Sequence, residues 1–587
     1  METSFSTLFF REETMKKLLM ILSVCCCFVM TGMAAPVVLD VPVPDGDATP
    51  VLRRTIEQAS SYKGRAVLIR LQQGDYHIYR TSSSPYLYYI SNTASAEENP
   101  DPTKHIGIWL KDMKNITVDG GGARFVTHGE MTPFVIDGCE NVTLKNFSLV
   151  AADPSVPEMT VVSTDANSIT ARVTAGSSYE IEDGKFYWKG EGWRFGGGIA
   201  QVFYPQTNVT NRCESPLAGV TKAIELDEGL VRFNYDRAPG FKTGEVYQMR
   251  HSFRTEACGF IHQSKDVKLV NIKFHFLGNF GIVGQYSENL TYEKLYCAPE
   301  WGSGRTCAGF ADFVQMSGCK GKIRILDSYF EGAHDDPINI HGTHLKVMEY
   351  VSDRQVKVRF MHGQSYGFEA FYKGDEVEFV DAHSLRCLQP ACVKAVERID
   401  DYEILLTLDR AVNDNVKTAE NVSVENVTWT PEVEIRNNYF SRIPTRGILV
   451  TTRRKVVIED NVFYRIPMSG VLVSDDARGW YESGPVRDVT IRRNLFMECG
   501  SPVIAVMPEN DRYEGAVHRN VRIEANRFVI RQGSEAVSAR ATDGLIIRDN
   551  YISVAGDGPV SPDAFFRTED CKDVTISGNR CGRSLLR

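Results

Sequence analysis

The sequence predicts an all-β fold: a right-handed parallel β-helix with two small antiparallel β-barrel domains inserted into it. Three observations carry this. A short motif recurs every 23 to 33 residues along the C-terminal part of the chain, each copy alternates apolar and polar residues, and two long stretches lack the motif. Recurrence at this period marks a solenoid, a propeller or an array, and period-2 alternation marks strands.

The chain opens on a targeting pattern. Met15-Lys16-Lys17 forms a short basic region, an apolar run extends from Leu18 to Met30, and the small-residue stretch Thr31-Gly32-Met33-Ala34-Ala35 follows. These are the three parts of a secretory signal peptide, and the run is too short to span a bilayer. Met15 is read as the true start, with residues 1–14 spurious and residues 1–34 removed. The protein is expected to be exported, to the periplasm, cell surface or surroundings of a bacterium. Cys25-Cys26-Cys27 hints at a lipoprotein signal, but Val24 stands where a small residue is wanted.

Composition excludes several classes. Hydrophobic residues make up 43% and charged residues 24% of 587, ordinary for a globular protein and unlike a disordered, collagenous or polytopic membrane chain. The formal charge of −9 argues against a nucleic-acid partner, which calls for a basic excess. No later stretch is apolar and long enough for a membrane span. Three of 14 Cys leave with the signal, and the remainder contain no CxxC pair, so neither a structural zinc site nor a disulfide framework is expected. Cys387 and Cys392 are the candidate bridge.

The motif itself is a polar turn, an apolar/polar alternation, then often Asn and an aromatic. It reads KNITVDGGGARF from Lys114, KDVKLVNIKF from Lys265, GKIRILDSYF from Gly321, KVVIEDNVF from Lys455 and RNVRIEANRF from Arg519. The repeated Asn falls at positions 438, 461, 494, 526, 550 and 579, in steps of 23, 33, 32, 24 and 29. A four-stranded propeller blade needs about 40 residues, so the shortest steps select the parallel β-helix, with loops of about ten residues on the longer coils. Inward Asn side chains are expected to hydrogen-bond from coil to coil. The β-helix is assigned residues 35–153, 254–344 and 431–587. The insertions are 154–253 and 345–430, where ANSITARV, GEVYQM, DRQVKVRF and GDEVEFV read as antiparallel strands.

A second column locates the chemistry. Short strands precede the motif on successive coils: GIVG at 281–284, FVQM at 313–316, PINI at 337–340, GILV at 447–450, GVLV at 470–473 and PVIA at 502–505. The residues just before them are Phe280, Asp312, Asp336, Arg446, Ser469 and Ser501. Equivalent positions stack in a β-helix, so Asp312, Asp335-Asp336 and Arg446 are expected to cluster. Neighbouring carboxylates raise one another's pKa, and glycoside hydrolysis needs one protonated and one ionised carboxyl. The competing reading is that the paired Asp residues merely cap a turn or hold a structural cation; three carboxylates in register favour catalysis.

Other candidates are local. In WGSGRTC, Trp301 offers an apolar platform for a sugar and Arg305 a fork of donors; a Trp packed beneath its own loop is the alternative. His334 heads the polar segment HDDPINIHG and is grouped with Trp301, Arg305 and Arg446 as substrate-binding. His334, His341 and His344 raise the question of a metal, but His341 and Asn339 alternate with inward Ile338 and Ile340, and no metal site is assigned. Asp475-Asp476, in VSDDARGW, follows its strand and reads as a surface turn.

The motifs also resemble known proteins. ITVDGGGARF is similar to the first coil of pectate lyases and polygalacturonases. AGFADFVQ and EGAHDDPINIHGTH, with two inserted barrels, resemble glycoside hydrolase family 110 over essentially the whole mature chain. The resemblance implies an inverting bacterial exo-α-1,3-galactosidase acting on blood group B type glycans and, in one subgroup, on linear Gal-α-1,3-Gal. The implied partner is an oligosaccharide or glycoconjugate with terminal α-galactose, and no cofactor is implied. The resemblance also implies Asp312 as proton donor and Asp335 and Asp336 as the pair that activates water. Two other classes remain open on sequence: a polygalacturonase-like hydrolase or calcium-dependent pectate lyase, and a non-catalytic carbohydrate-binding β-helix.

Overall fold

The computed structural model describes residues 35–555 and 561–583. The signal-peptide reading of residues 1–34 lies outside them. Among the described residues no helix is long and apolar enough to cross a membrane.

The repeats form coils of a parallel β-helix. In each C-terminal coil a motif strand such as Lys455–Glu459 is followed by a second short strand, Val462–Tyr464. Each pairs in parallel with its equivalent one coil on. Alternate motif residues turn inward: Ile325, Ile435, Ile458, Ile491, Ile523 and Ile547 lie in one register column, all fully buried. Beside it Phe330, Phe440, Phe463, Phe496 and Phe528 stack with ring centroids 5.3, 4.8, 4.7 and 5.2 Å apart. This spacing is the coil-to-coil distance of about 4.8 Å set by parallel strand pairing.

The Asn residues form the expected ladder. Each Nδ2 donates to the Oδ1 of the next coil's Asn, from Asn438 through Asn461, Asn494, Asn526 and Asn550 to Asn579, at 3.0, 3.0, 3.0, 3.1 and 2.9 Å. The same Oδ1 atoms also accept the backbone N–H of the preceding Asn, and a second Nδ2 bond reaches an Ile carbonyl of the coil before. A bend in a buried strand strands backbone groups away from water, and the amide satisfies them.

One element escaped the sequence reading. Thr49–Ser61 is an α-helix that buries Leu52 and Ala59, with Ile56 packed beside them, at the N-terminal end of the β-helix core. Its apolar positions follow helical spacing over only three turns, too short a run to stand out from the surrounding strands.

Both insertions are antiparallel. The first spans strands Glu158–Asp165 to Val246–Arg250 and has its own core around Trp188, Phe186 and Phe233. The second is a closed six-stranded barrel. Its first strand, Ile338–Ser352, begins as a β-helix strand and ends as a barrel strand, pairing with Val314–Ser317 at one end and Gln355–Arg359 at the other. The boundary placed at residue 345 therefore falls inside one continuous strand. The candidate bridge is corrected: Cys387 and Cys392 are free thiols on the same strand, Arg386–Arg398, where extended backbone holds them apart.

Replacing Asn494 by Leu leaves Asn461 N–H, Asn461 Nδ2 and Ile458 C=O without their partner. We expect a loss of about 1–3 kcal/mol, read by urea unfolding; a change within error would mean the ladder adds nothing to stability.

Candidate active site

The register that aligns the core also aligns the acidic residues. Val314 pairs with Ile338 and Ile338 with Ile448, so Asp312, Asp336 and Arg446 occupy one column on three successive coils. Close stacking here depends on glycine: a Cβ at Gly281 would lie 2.2 Å from the Asp312 carbonyl oxygen. The column slips at its end. Val471 pairs with Ile504, so Ser469 faces Pro502, not Ser501, and its hydroxyl donates to the Pro502 carbonyl at 2.7 Å.

The column opens into a cavity of about 560 Å³ whose lining includes Asp312, Asp335, Asp336, Asn339, Arg446, Leu449 and Leu472. Asn339, Leu449 and Leu472 point out from the β-helix because Ile338, Ile340, Ile448, Val450, Val471 and Val473 point in. Arg446 grips Asp336 with its backbone N–H (2.9 Å), Nε (3.0 Å) and Nη2. Asp335 turns the other way and meets Arg212 at 2.9 Å and Arg254 at 3.4 Å.

Asp312 is buried and forms no ion pair among the described residues. Burial, reinforced by the charges of Asp335 and Asp336 and opposed by Arg254, lifts its carboxyl well above the usual carboxylate range. Burial also raises Asp336; the Arg446 fork pulls against this and Asp335 adds to it. Asp335 keeps its two guanidinium partners and, with its side chain 17% exposed, remains accessible from the cavity. The site thus sets a carboxyl that burial biases toward its protonated form one coil away from a carboxyl gripped by a guanidinium, the kind of pair that acid–base hydrolysis requires.

Of the four predicted binding residues only Arg446 lines the cavity. Trp301 is corrected: it is 97% exposed on its loop and does not line the cavity. Arg305 is corrected as well. Its guanidinium pairs with buried Glu158 (3.2 Å) and donates to the Val156 carbonyl (2.6 Å), pinning the first insertion to the loop that leads to Asp312. His334 lies behind the cavity wall, accepting at Nδ1 from Arg250 Nε at 3.3 Å. Burial and then Arg250 push its ring well below the ordinary histidine value, so it is a neutral acceptor that orients Arg250.

The Asp475-Asp476 turn is also corrected. Both residues are buried, and Asp476 lines the cavity with Trp480 and Glu482 of the same loop. Asp475 accepts from Gly484 N–H at 3.0 Å and lies 3.5 Å from His344. The sequence reading also missed Asn92, Arg212, Arg250, Arg254, Glu482 and Glu509. Glu482 is met by Asn92 (3.1 Å), Asn339 (3.4 Å) and His341 (3.5 Å). One signal for Glu482 and Glu509 was present: they lie on the coils with the long steps of 33 and 32 residues. The arginines had none, because Arg212 and Arg250 come from the first insertion and Arg254 from the loop that follows its last strand. Burial and then Arg254 bring the Arg250 guanidinium down to about 9, and it packs over the Phe310 ring at 4.7 Å. Among the described residues no group of three or more His, Cys, Asp or Glu is arranged to hold a metal ion.

Three family models match: GLAA-B beta-barrel domain I over residues 157–246, GLAA-B beta-barrel domain II over 355–422, and a right-handed beta helix region over 420–583. The chain is 46% identical to alpha-1,3-galactosidase A of Bacteroides thetaiotaomicron, covering 89% of this chain and 93% of that one. It is 36% identical to alpha-1,3-galactosidase A of Bacteroides fragilis (87% and 86% covered) and 31% identical to alpha-1,3-galactosidase B of Parabacteroides distasonis (87% and 86%). Among solved structures, the surface protein and adhesin PfbA of Streptococcus pneumoniae aligns with a TM-score of 0.41 at 12% identity, over 93% of this chain and 97% of that one.

The raised Asp312 carboxyl has a thermodynamic signature. The unfolded chain loses this proton near pH 4, whereas the folded protein keeps it to higher pH. Stability therefore falls as pH rises from about 4 toward the raised folded value, and levels off beyond it. Asp312→Asn removes that slope. It is expected to be more stable than the parent at neutral pH and to converge with it below about pH 4, measured by urea titration across pH. Identical slopes would mean that Asp312 is charged in the fold.

Proposed function

The chain belongs to glycoside hydrolase family 110, the family of the α-1,3-galactosidases, and from that premise we propose that it removes terminal α-1,3-linked galactose with inversion at the anomeric carbon. Asp312 is the general acid. It delivers its proton to the glycosidic oxygen as the bond breaks. Asp335 and Asp336 take the proton of the attacking water on the opposite face of the ring. The observation that carries this reading is one buried carboxyl, Asp312, with its pKa pushed upward, sharing a cavity with an Asp pair held by Arg212, Arg254 and Arg446.

The walls support a substrate class. Elements distant in sequence — the first insertion, the segment at Asn92 and the 475–484 loop — surround the cavity and favour a chain end over an internal bond. The glycans proposed are those of blood group B type and linear Gal-α-1,3-Gal. The pattern over Met15–Ala35 supports export, which places the enzyme where such glycoconjugates are met.

Release of free galactose from α-1,3-galactobiose in the presence of EDTA tests the activity, and the first-formed anomer, followed by proton NMR, tests the stereochemistry. β-Galactose is expected. α-Galactose would overturn inversion, an unsaturated product would indicate a lyase, and no product would indicate a binding protein. Asp312→Asn is expected to cripple disaccharide cleavage while largely sparing an activated aryl α-galactoside, whose leaving group needs little protonation. Asp335→Asn and Asp336→Asn are expected to slow both substrates. Equal losses on both substrates for Asp312→Asn would remove it from the role of acid.

A further inference from the structure

The step from Asn461 to Asn494 is 33 residues, against 23 for the coil before it. The surplus of about ten residues is the loop from Asp475 to Gly484. Its ends are tied together: Asp475 Oδ1 accepts Gly484 N–H at 3.0 Å, and Asp476 N–H donates to the Glu482 carbonyl at 3.0 Å. Its far side is paired to the strand that carries Asn339 and His341, Thr343 lying opposite Glu482.

The Asp476 carboxylate fills the middle of this loop. Oδ1 accepts the N–H groups of Arg478 (2.8 Å) and Gly479 (2.9 Å); Oδ2 accepts those of Gly479 (3.0 Å), Trp480 and Tyr481 (3.1 Å). Four consecutive backbone donors are met by one carboxylate, with little acceptor capacity left for chemistry. What this fixes is Trp480. Its ring stacks on His362 of the second insertion, centroids 4.0 Å apart and planes inclined by 28°. Trp480 is nevertheless 45% exposed and lines the cavity. One face is backed by His362, and the side chain also borders the cavity.

We propose that Asp476 is a positioning residue: it holds the 475–484 loop so that Trp480, backed by His362, forms the platform on which a sugar ring of the substrate stacks. The proposal rests on the galactoside reading of this cavity and adds the residues that grip the sugar. An indole face is large, apolar and stiff, suited to the C–H face of a pyranose, and a platform immobilised in advance loses less conformational entropy on binding. Trp301 shows the contrast: it is exposed on a loop and does not line the cavity.

The test is a double-mutant cycle on α-1,3-galactobiose. Trp480→Ala and Asp476→Asn are each expected to raise KM about three- to ten-fold, the effect of one lost aromatic contact, with a smaller effect on kcat. Trp480→Phe is expected to recover most of the loss. Because Asp476 acts through Trp480, the double variant is expected to be no worse than Trp480→Ala alone. Losses that multiply, or a fall in kcat at unchanged KM, would overturn the proposal while leaving the galactosidase reading intact. A parent that releases no galactose would overturn both. If Asp476→Asn does not fold, His362→Ala carries the test: KM is expected to rise at least about two-fold, and an unchanged KM sinks the platform.

Discussion

Parallel strand pairing at a fixed spacing is the constraint on which everything else in this protein depends. Hydrogen bonds between successive coils lock residue to residue, so whatever occurs at one register position recurs about 4.8 Å away on the next coil. The rule acts on inward and outward side chains alike. Inward it stacks Ile on Ile, Phe on Phe and Asn on Asn; outward it sets Asp312 beside Asp336 and Asp336 beside Arg446.

The two consequences pull in opposite directions. A column of like apolar side chains excludes water from a continuous core, and a column of amides satisfies its own donors and acceptors. A column of carboxylates is unfavourable, because each buried charge raises the free energy of its neighbour. The structure answers with guanidinium groups at Asp335 and Asp336, while burial at Asp312 favours the neutral carboxyl. Burial without an ion pair at Asp312, against the Arg446 fork at Asp336, gives two stacked carboxyls different surroundings, the condition that acid–base chemistry between carboxyls needs.

The insertions complete what the β-helix begins. A bare β-helix face is a sheet surface, flat and open. The first insertion lays Arg212 and Arg250 against the acidic column, and Glu158 with Arg305 fixes that insertion in place. The second grows out of the strand that bears Asn339 and supports the far wall through His362. Residues outside the cavity, such as Arg305 and His334, set the positions of those that line it.

The β-helix, the Asn ladder and the Asp312–Asp336–Arg446 column were legible in the sequence because each follows from a period, which survives projection onto one dimension, and the insertions because the period lapses there. The reading failed where a side chain's surroundings come from elsewhere in the chain. Trp301 and Arg305 share a loop near Asp312 in sequence, yet one turns to solvent and the other to Glu158. Asp475-Asp476 has the composition of a surface turn and is buried, because the second barrel and the 475–484 loop close over it. Arg212, Arg250, Arg254 and Asn92 meet the acidic column across separations such as the 123 residues between Arg212 and Asp335, and no local pattern encodes such a meeting. Sequence by itself determined which residues stack, since stacking is set by spacing along the chain; only the tertiary structure decided which of them line the cavity, since that depends on how separate domains close around one stretch of sheet.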